Sequence, residues 1–90
     1  MKECWLCGRN GTADPLDRHH VFGSANKKKS ERYGCLVDLC HNRCHLYGDY
    51  AVHKNAETML MLHRHFQRKV MKEQNMTEDE FREEFGKSYI

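Results

Sequence analysis

Apolar positions form short runs in the first half of the chain and follow a three-to-four spacing in the second. Leu16 to Phe22 reads as a strand, with Val21 and Phe22 its strongest β-formers. Cys35-Leu36-Val37-Asp38-Leu39 is the best strand candidate, short and apolar. Between them Gly23 to Gly34 is polar, lysine-rich and bounded by glycines, which predicts a long functional loop. Cys40 to Tyr47 has helical spacing and ends at Gly48. From Ala56 onward Met59, Leu60, His63, Phe66 and Val70 place one stripe of a long helix toward a core, with Asn55 as its N-cap. The last helix opens on Thr77-Glu78-Asp79-Glu80, a capping-box pattern, continues through Phe81 and Phe85, and stops at Gly86. Ahead of all these, Cys4-Trp5-Leu6-Cys7-Gly8 has the form of a metal knuckle, and Asn10, Gly11, Asp14 and Pro15 continue as loop. An α+β domain follows, in the order knuckle, strand, loop, strand, helix, further helices.

Composition adds a constraint. Ninety residues with 39% apolar and 31% charged positions build a thin core under a solvated surface. Domains of that size often draw stability from metals or disulfides. Five cysteines, an odd number with thiols paired closely along the chain, fit metal binding in a reducing compartment better than a disulfide framework. No apolar run reaches the length of a membrane span, and Met1-Lys2-Glu3-Cys4-Trp5 lacks the stretch of a signal peptide, so an intracellular, cytoplasmic protein with no membrane partner is expected. The net charge of +2 says little about partners. Its distribution says more, because Lys27, Lys28, Lys29 and Arg32 crowd one segment that can neutralise phosphates or simply be a solvated face. Met59, Met61, Met71 and Met76 have the character of core gap-fillers. The C-terminal helices either complete the core or form a dimer surface, leaving monomer and homodimer both open.

Two sets of metal-ligating residues stand out. Cys4 and Cys7 form a C-x-x-C pair, and Cys40 and Cys44 form a C-x-x-x-C pair one helical turn apart. Four thiolates from distant parts of a chain suit a tetrahedral structural zinc, with His41 able to replace one of them. Cys35, inside the apolar strand, reads as a buried small hydrophobe. His19 and His20 are neighbours on a strand and point to opposite faces, so one can hold a metal while the other faces a water. His45 follows Cys44 and is turned about 100° from it on a helix. One face of that helix can thus carry structural zinc while the next carries a catalytic ion, with His41 and His53 as further ligand candidates. His63 and His65, on the long amphipathic helix, have the bland reading of surface or core side chains.

The knuckle, the Asp17-Arg18-His19-His20 stretch and the Leu39-Cys40 and Cys44-His45 steps together resemble the HNH nucleases, particularly the short zinc-stapled forms of bacteriophages and bacteria. The likeness runs from Cys4 to about His53. It implies a small ββα-metal (HNH) domain: residues 1–54 as knuckle plus ββα-metal core and residues 55–90 as C-terminal helices of one nuclease domain. It also implies a metal-dependent DNA endonuclease in which His20 is the general base and His19, His45 and His53 hold one divalent ion, leaving a 5′-phosphate on the product. An imidazole-rich set suits Zn²⁺, Mn²⁺ or Ni²⁺ better than Mg²⁺. DNA is the implied partner, with Arg18, Lys27, Lys28, Lys29 and Arg32 on its phosphates. The chain departs from the family in its C-x-x-x-C spacing, where C-x-x-C is usual, and in reading Gly34-Cys35-Leu36 near the place of the family's asparagine. Those departures motivate an alternative, a catalytically inactive zinc-stapled module that binds nucleic acid or protein.

Overall fold

The computed structural model describes residues 2–90. Strand β1 (Leu16–His20) pairs antiparallel with β2 (Leu36–Cys40), in a register that sets Leu16 opposite Cys40 and His19 opposite Val37. Each strand differs by one or two residues from the sequence expectation. Val21 and Phe22 leave β1, although the Val21 amide still donates to the Cys35 carbonyl.

The stretch between the strands is not a loop. A 3₁₀ turn (Ser24–Asn26) leads into α1 (Lys27–Arg32). Lysine, glutamate and arginine are good helix formers, so the polar run Lys27 to Arg32 supports a helix that needs little apolar surface. Its one buried residue, Ser30, pins it: the Ser30 hydroxyl donates to the Phe22 carbonyl at 2.6 Å and accepts from the Phe22 amide at 3.0 Å.

The expected helix from Cys40 to Tyr47 is also different. Cys40 is the last residue of β2, and His41–Leu46 forms a wide π-helical turn. The turn carries its own cap. The Asp14 carboxylate accepts from the Asn42 and Arg43 amides at 2.9 to 3.2 Å, satisfying donors that a turn leaves free. Gly48 closes the turn so tightly that a β-carbon there would sit 1.9 Å from the Arg43 carbonyl oxygen, which no side chain allows.

Helix α2 (Ala56–Glu73) begins at the Asn55 cap, whose side chain accepts from the Thr58 amide. Its buried face is Thr58, Leu62, Phe66, Gln67 and Val70, with Ala56 exposed and Leu60 half-buried. That is a rotation from the expected stripe. The run Met59-Leu60-Met61-Leu62 is apolar around most of the helix, so packing rather than periodicity chooses the inward face. Helix α3 (Glu78–Phe85) has the full capping box between Thr77 and Glu80 and ends on Gly86 at φ 86°, a left-handed conformation that glycine adopts without strain.

One apolar cluster joins these parts. Phe22 is ringed by Phe81, Phe85, His63 and Tyr89 with centroids 4.8 to 5.7 Å away. Phe81 and Phe85 are thus buried in the core through α3. His63 belongs here, stacked on Phe22 with its Nε2 2.8 Å from the Val21 carbonyl. Cys35 is fully buried, and burial pushes its thiol up to about 11. At the opposite end the knuckle docks on β2 through the Trp5 amide to the Asp38 carbonyl, and the Trp5 ring packs on Phe66 and His65. Among the described residues no helix is long and apolar enough to cross a membrane.

Candidate metal centres

The knuckle, the end of β2 and the π-helical turn bring Cys4, Cys7, Cys40 and Cys44 together, with all four sulfurs within 4.8 Å of one another. Cys7 Sγ and Cys40 Sγ are 3.5 Å apart. Tetrahedral zinc with Zn–S bonds of about 2.3 Å has sulfur–sulfur edges of about 3.8 Å, so the four could hold such an ion with small adjustment. The extra residue of the C-x-x-x-C spacing is absorbed by the wide turn. An α-turn from Cys40 is therefore not what aligns these thiols: one comes from a strand end and the other from the turn, and His41 is not among them.

Their electrostatics suit a cation. Burial, with Cys7 and Cys4 as hydrogen-bonding neighbours, pushes Cys40 up to about 12, and the same causes raise Cys44. Cys7 goes the other way. Burial opposes it, yet hydrogen bonds from the Arg9 backbone, Cys40 and Cys4 bring it down to about 6. Four adjacent sulfurs resist sharing negative charge unless a cation sits among them, where coordination deprotonates each.

A second cluster lies on the neighbouring face. His19 of β1, His45 of the turn and His53 bring ring nitrogens within 4.8 Å of one another. Their ring centroids form a near-equilateral triangle of 4.8 to 5.2 Å. His53 reaches it because the Val52 and His53 amides donate to the Cys44 and His45 carbonyls, folding the chain back beside the turn. His19 is 7% exposed and its Nε2 has no hydrogen-bond partner. Leaving such an atom unsatisfied costs about 1–3 kcal/mol, which a metal–nitrogen bond would relieve. Burial first, then the neighbouring imidazoles, pull His19 down to about 4, and the same two causes lower His53. Both shifts favour the neutral ring, whose lone pair is the form that ligates metal.

Asp17 organises the cluster from behind. Its Oδ2 accepts from His45 Nδ1 at 2.9 Å and from His41 Nδ1 at 2.6 Å. Holding the proton on Nδ1 of His45 leaves Nε2 free for a ligand. The His45 hydrogen bond, reinforced by His41 and outweighing burial, keeps the Asp17 carboxyl below the usual carboxylate range. His41 is held by this contact and lies outside the three-imidazole set. Asp17 and Asp14 are the residues that motif reading passed over. Asp17 lies two positions before His19 on β1 and so shares its face, a signal that strand alternation contains.

His20 turns away from His19, and its Nε2 is 3.0 Å from Glu31 Oε1 on α1. Of the basic residues, Lys27, Lys28 and Arg32 are exposed on α1. Lys29 reaches the Glu84 carbonyl and lies 3.6 Å from the Glu84 carboxylate, tying α1 to α3. Arg18 is exposed, 3.9 Å from Asp38 across the sheet. Comparison with protein-family models, curated proteins and solved structures gave no match in any of the three.

Proposed function

We propose that this chain is a metal-dependent DNA endonuclease of the HNH type, with a structural zinc at Cys4, Cys7, Cys40 and Cys44. The observation that carries the reading is the convergence of His19, His45 and His53 around the orphaned His19 Nε2, with His20 next on the strand. The strand–strand–turn outline of residues 16–46 supports a ββα-metal arrangement in which the wide turn carries the ligand that the family places on a helix. A divalent ion held by the three imidazoles would supply positive charge where a phosphodiester develops negative charge during hydrolysis. His20 does the proton work. Glu31 accepts its Nε2–H and orients the ring, so that the neutral form presents Nδ1 to take a proton from the attacking water. As that water attacks phosphorus the bond to the 3′ oxygen breaks, the leaving oxygen taking a proton from solvent. Lys27, Lys28 and Arg32 project from α1, the helix that bears Glu31, and grip backbone phosphates. Lys29, spent on Glu84, contributes less.

Plasmid cleavage by the purified protein with Mn²⁺ or Mg²⁺ tests the reading. His20→Ala is expected to slow cleavage by about 10²- to 10⁴-fold, the usual worth of a general base, with zinc content unchanged. A plasmid and a single-stranded circle both left intact by wild-type protein would favour the alternative, a zinc-stapled binding module, as would retention of zinc alone with no exchangeable second ion.

A further inference from the structure

Between the two ligands His45 and His53 the chain makes a short excursion whose tip carries Tyr47 and Tyr50, 66% and 76% exposed. The excursion is firmly built. The Tyr47 and Gly48 amides donate to the Asn42 carbonyl, and the Ala51 amide donates to the Gly48 carbonyl across a tight turn. Asn55 Nδ2 donates to the Asp49 carbonyl, and the Val52 and His53 amides close the base on Cys44 and His45. Nothing in the core calls for these two rings, and ordering them outside it leaves their faces to water.

Two arginines and two aspartates border the rings, with Asp14 already engaged by the Asn42 and Arg43 amides and Asp49 exposed. Tyr47 and Arg43 line one groove with Arg9, and Tyr50 lines an adjoining groove that shares both arginines. Arg9 and Arg43 are exposed. Exposed aromatic faces on a rigid loop beside arginines match the two parts of a single strand, bases that stack and phosphates that are negative. A duplex hides its base faces inside the helix and offers such rings nothing to stack on. The two ends of the loop are His45 and His53 of the three-imidazole cluster, and the groove under Tyr50 is lined by Cys7 and Cys44 of the four-thiol cluster.

We infer that Tyr47 and Tyr50, with Arg9 and Arg43, form a stacking platform for unpaired DNA bases on the loop that joins His45 to His53, so that the substrate class is single-stranded or locally unpaired DNA. This inference rests on the proposed nuclease function for its choice of DNA as ligand.

The test separates binding from cleavage. Zinc-loaded His20→Ala protein is titrated into a fluorescein-labelled single-stranded oligonucleotide, and separately into its matched duplex, and anisotropy is read. The single strand is expected to bind more tightly. Adding Tyr47→Ala or Tyr50→Ala should weaken single-strand binding about tenfold each, the worth of one base–aromatic stack. Tyr47→Phe and Tyr50→Phe, which keep the ring, should bind as before, and duplex binding should not change. Equal or tighter duplex binding overturns the platform, as does single-strand binding that is indifferent to Ala or equally weakened by Phe. Zinc content and circular dichroism of each variant show that it is folded. Cleavage of either the plasmid or a single-stranded circle by the wild-type protein with Mn²⁺ decides the nuclease reading independently, since a duplex-specific nuclease would cut the plasmid while failing here.

Discussion

Asp17 bears on two histidines with one oxygen, and only one of those histidines belongs to the three-imidazole cluster. Its role is therefore positional: it sets the tautomer and the ring angle of His45. Asp17→Asn preserves the shape but removes the charge and places a competing N–H near the same rings. The affinity for the second, exchangeable ion is expected to fall about 10- to 100-fold, as is usual for loss of an outer partner of a metal histidine, while thiol-bound zinc stays stoichiometric. Isothermal titration with Mn²⁺ or Ni²⁺ measures the first and metal analysis the second. His63 makes a different kind of prediction. Burial lowers it from the ordinary value of 6.5, only partly offset by its hydrogen bond to the Val21 carbonyl. The unfolded chain therefore takes up a proton at higher pH than the folded one. Its contribution to stability is complete above pH 6.5 and is lost as pH falls through the lowered folded value. Urea unfolding across that range should show a steeper acid loss for wild type than for His63→Gln.

Caps are local, and here they were legible, whereas the stripe of α2 gave the helix but not its inward face. Asn55, the Thr77 and Glu80 capping box and Gly86 act within a few residues of themselves, so their side chains announce the ends of α2 and α3. The polar segment Lys27 to Arg32 was misleading as a loop, because its single buried residue, Ser30, is held by backbone atoms of Phe22 and not by any apolar pattern. The π-helical turn was hidden for a similar reason. It depends on Asp14, which lies far back in the chain, and on Gly48 meeting the Arg43 carbonyl, neither of which leaves a periodic trace. Yet the expected partition of Cys44 and His45 between two clusters emerged from the wide turn as it would have from an α-helix. Neighbouring residues on any tight turn point in different directions.

The knuckle, sheet and turn meet at the four thiols, and α2 and α3 meet at Phe22, two residues beyond β1. A chain with this little apolar surface has a net stability of about 5–15 kcal/mol at most, and binding of a structural zinc contributes about 10–16 kcal/mol in small metal-stapled units. Removal of zinc by a strong chelator is therefore expected to abolish cooperative thermal unfolding, with return of the transition when Zn²⁺ is restored. Circular dichroism follows this directly. A metal-free protein that melts as sharply and as high as the zinc-loaded one would show that the aromatic core around Phe22, Phe81 and Phe85 suffices.

From its sequence alone, the chain declares which cysteines and histidines can gather as metal-ligating groups, because ligand type, short spacing and capping are properties of neighbours along a chain. Tertiary structure brought His53 and not His41 to the three-imidazole cluster, set Asp17 and Glu31 against histidines, and left two tyrosines exposed on the loop between His45 and His53. Those outcomes depend on backbone hydrogen bonds between segments such as 44–45 and 52–53, whose cost and gain are settled only when distant parts of the chain meet.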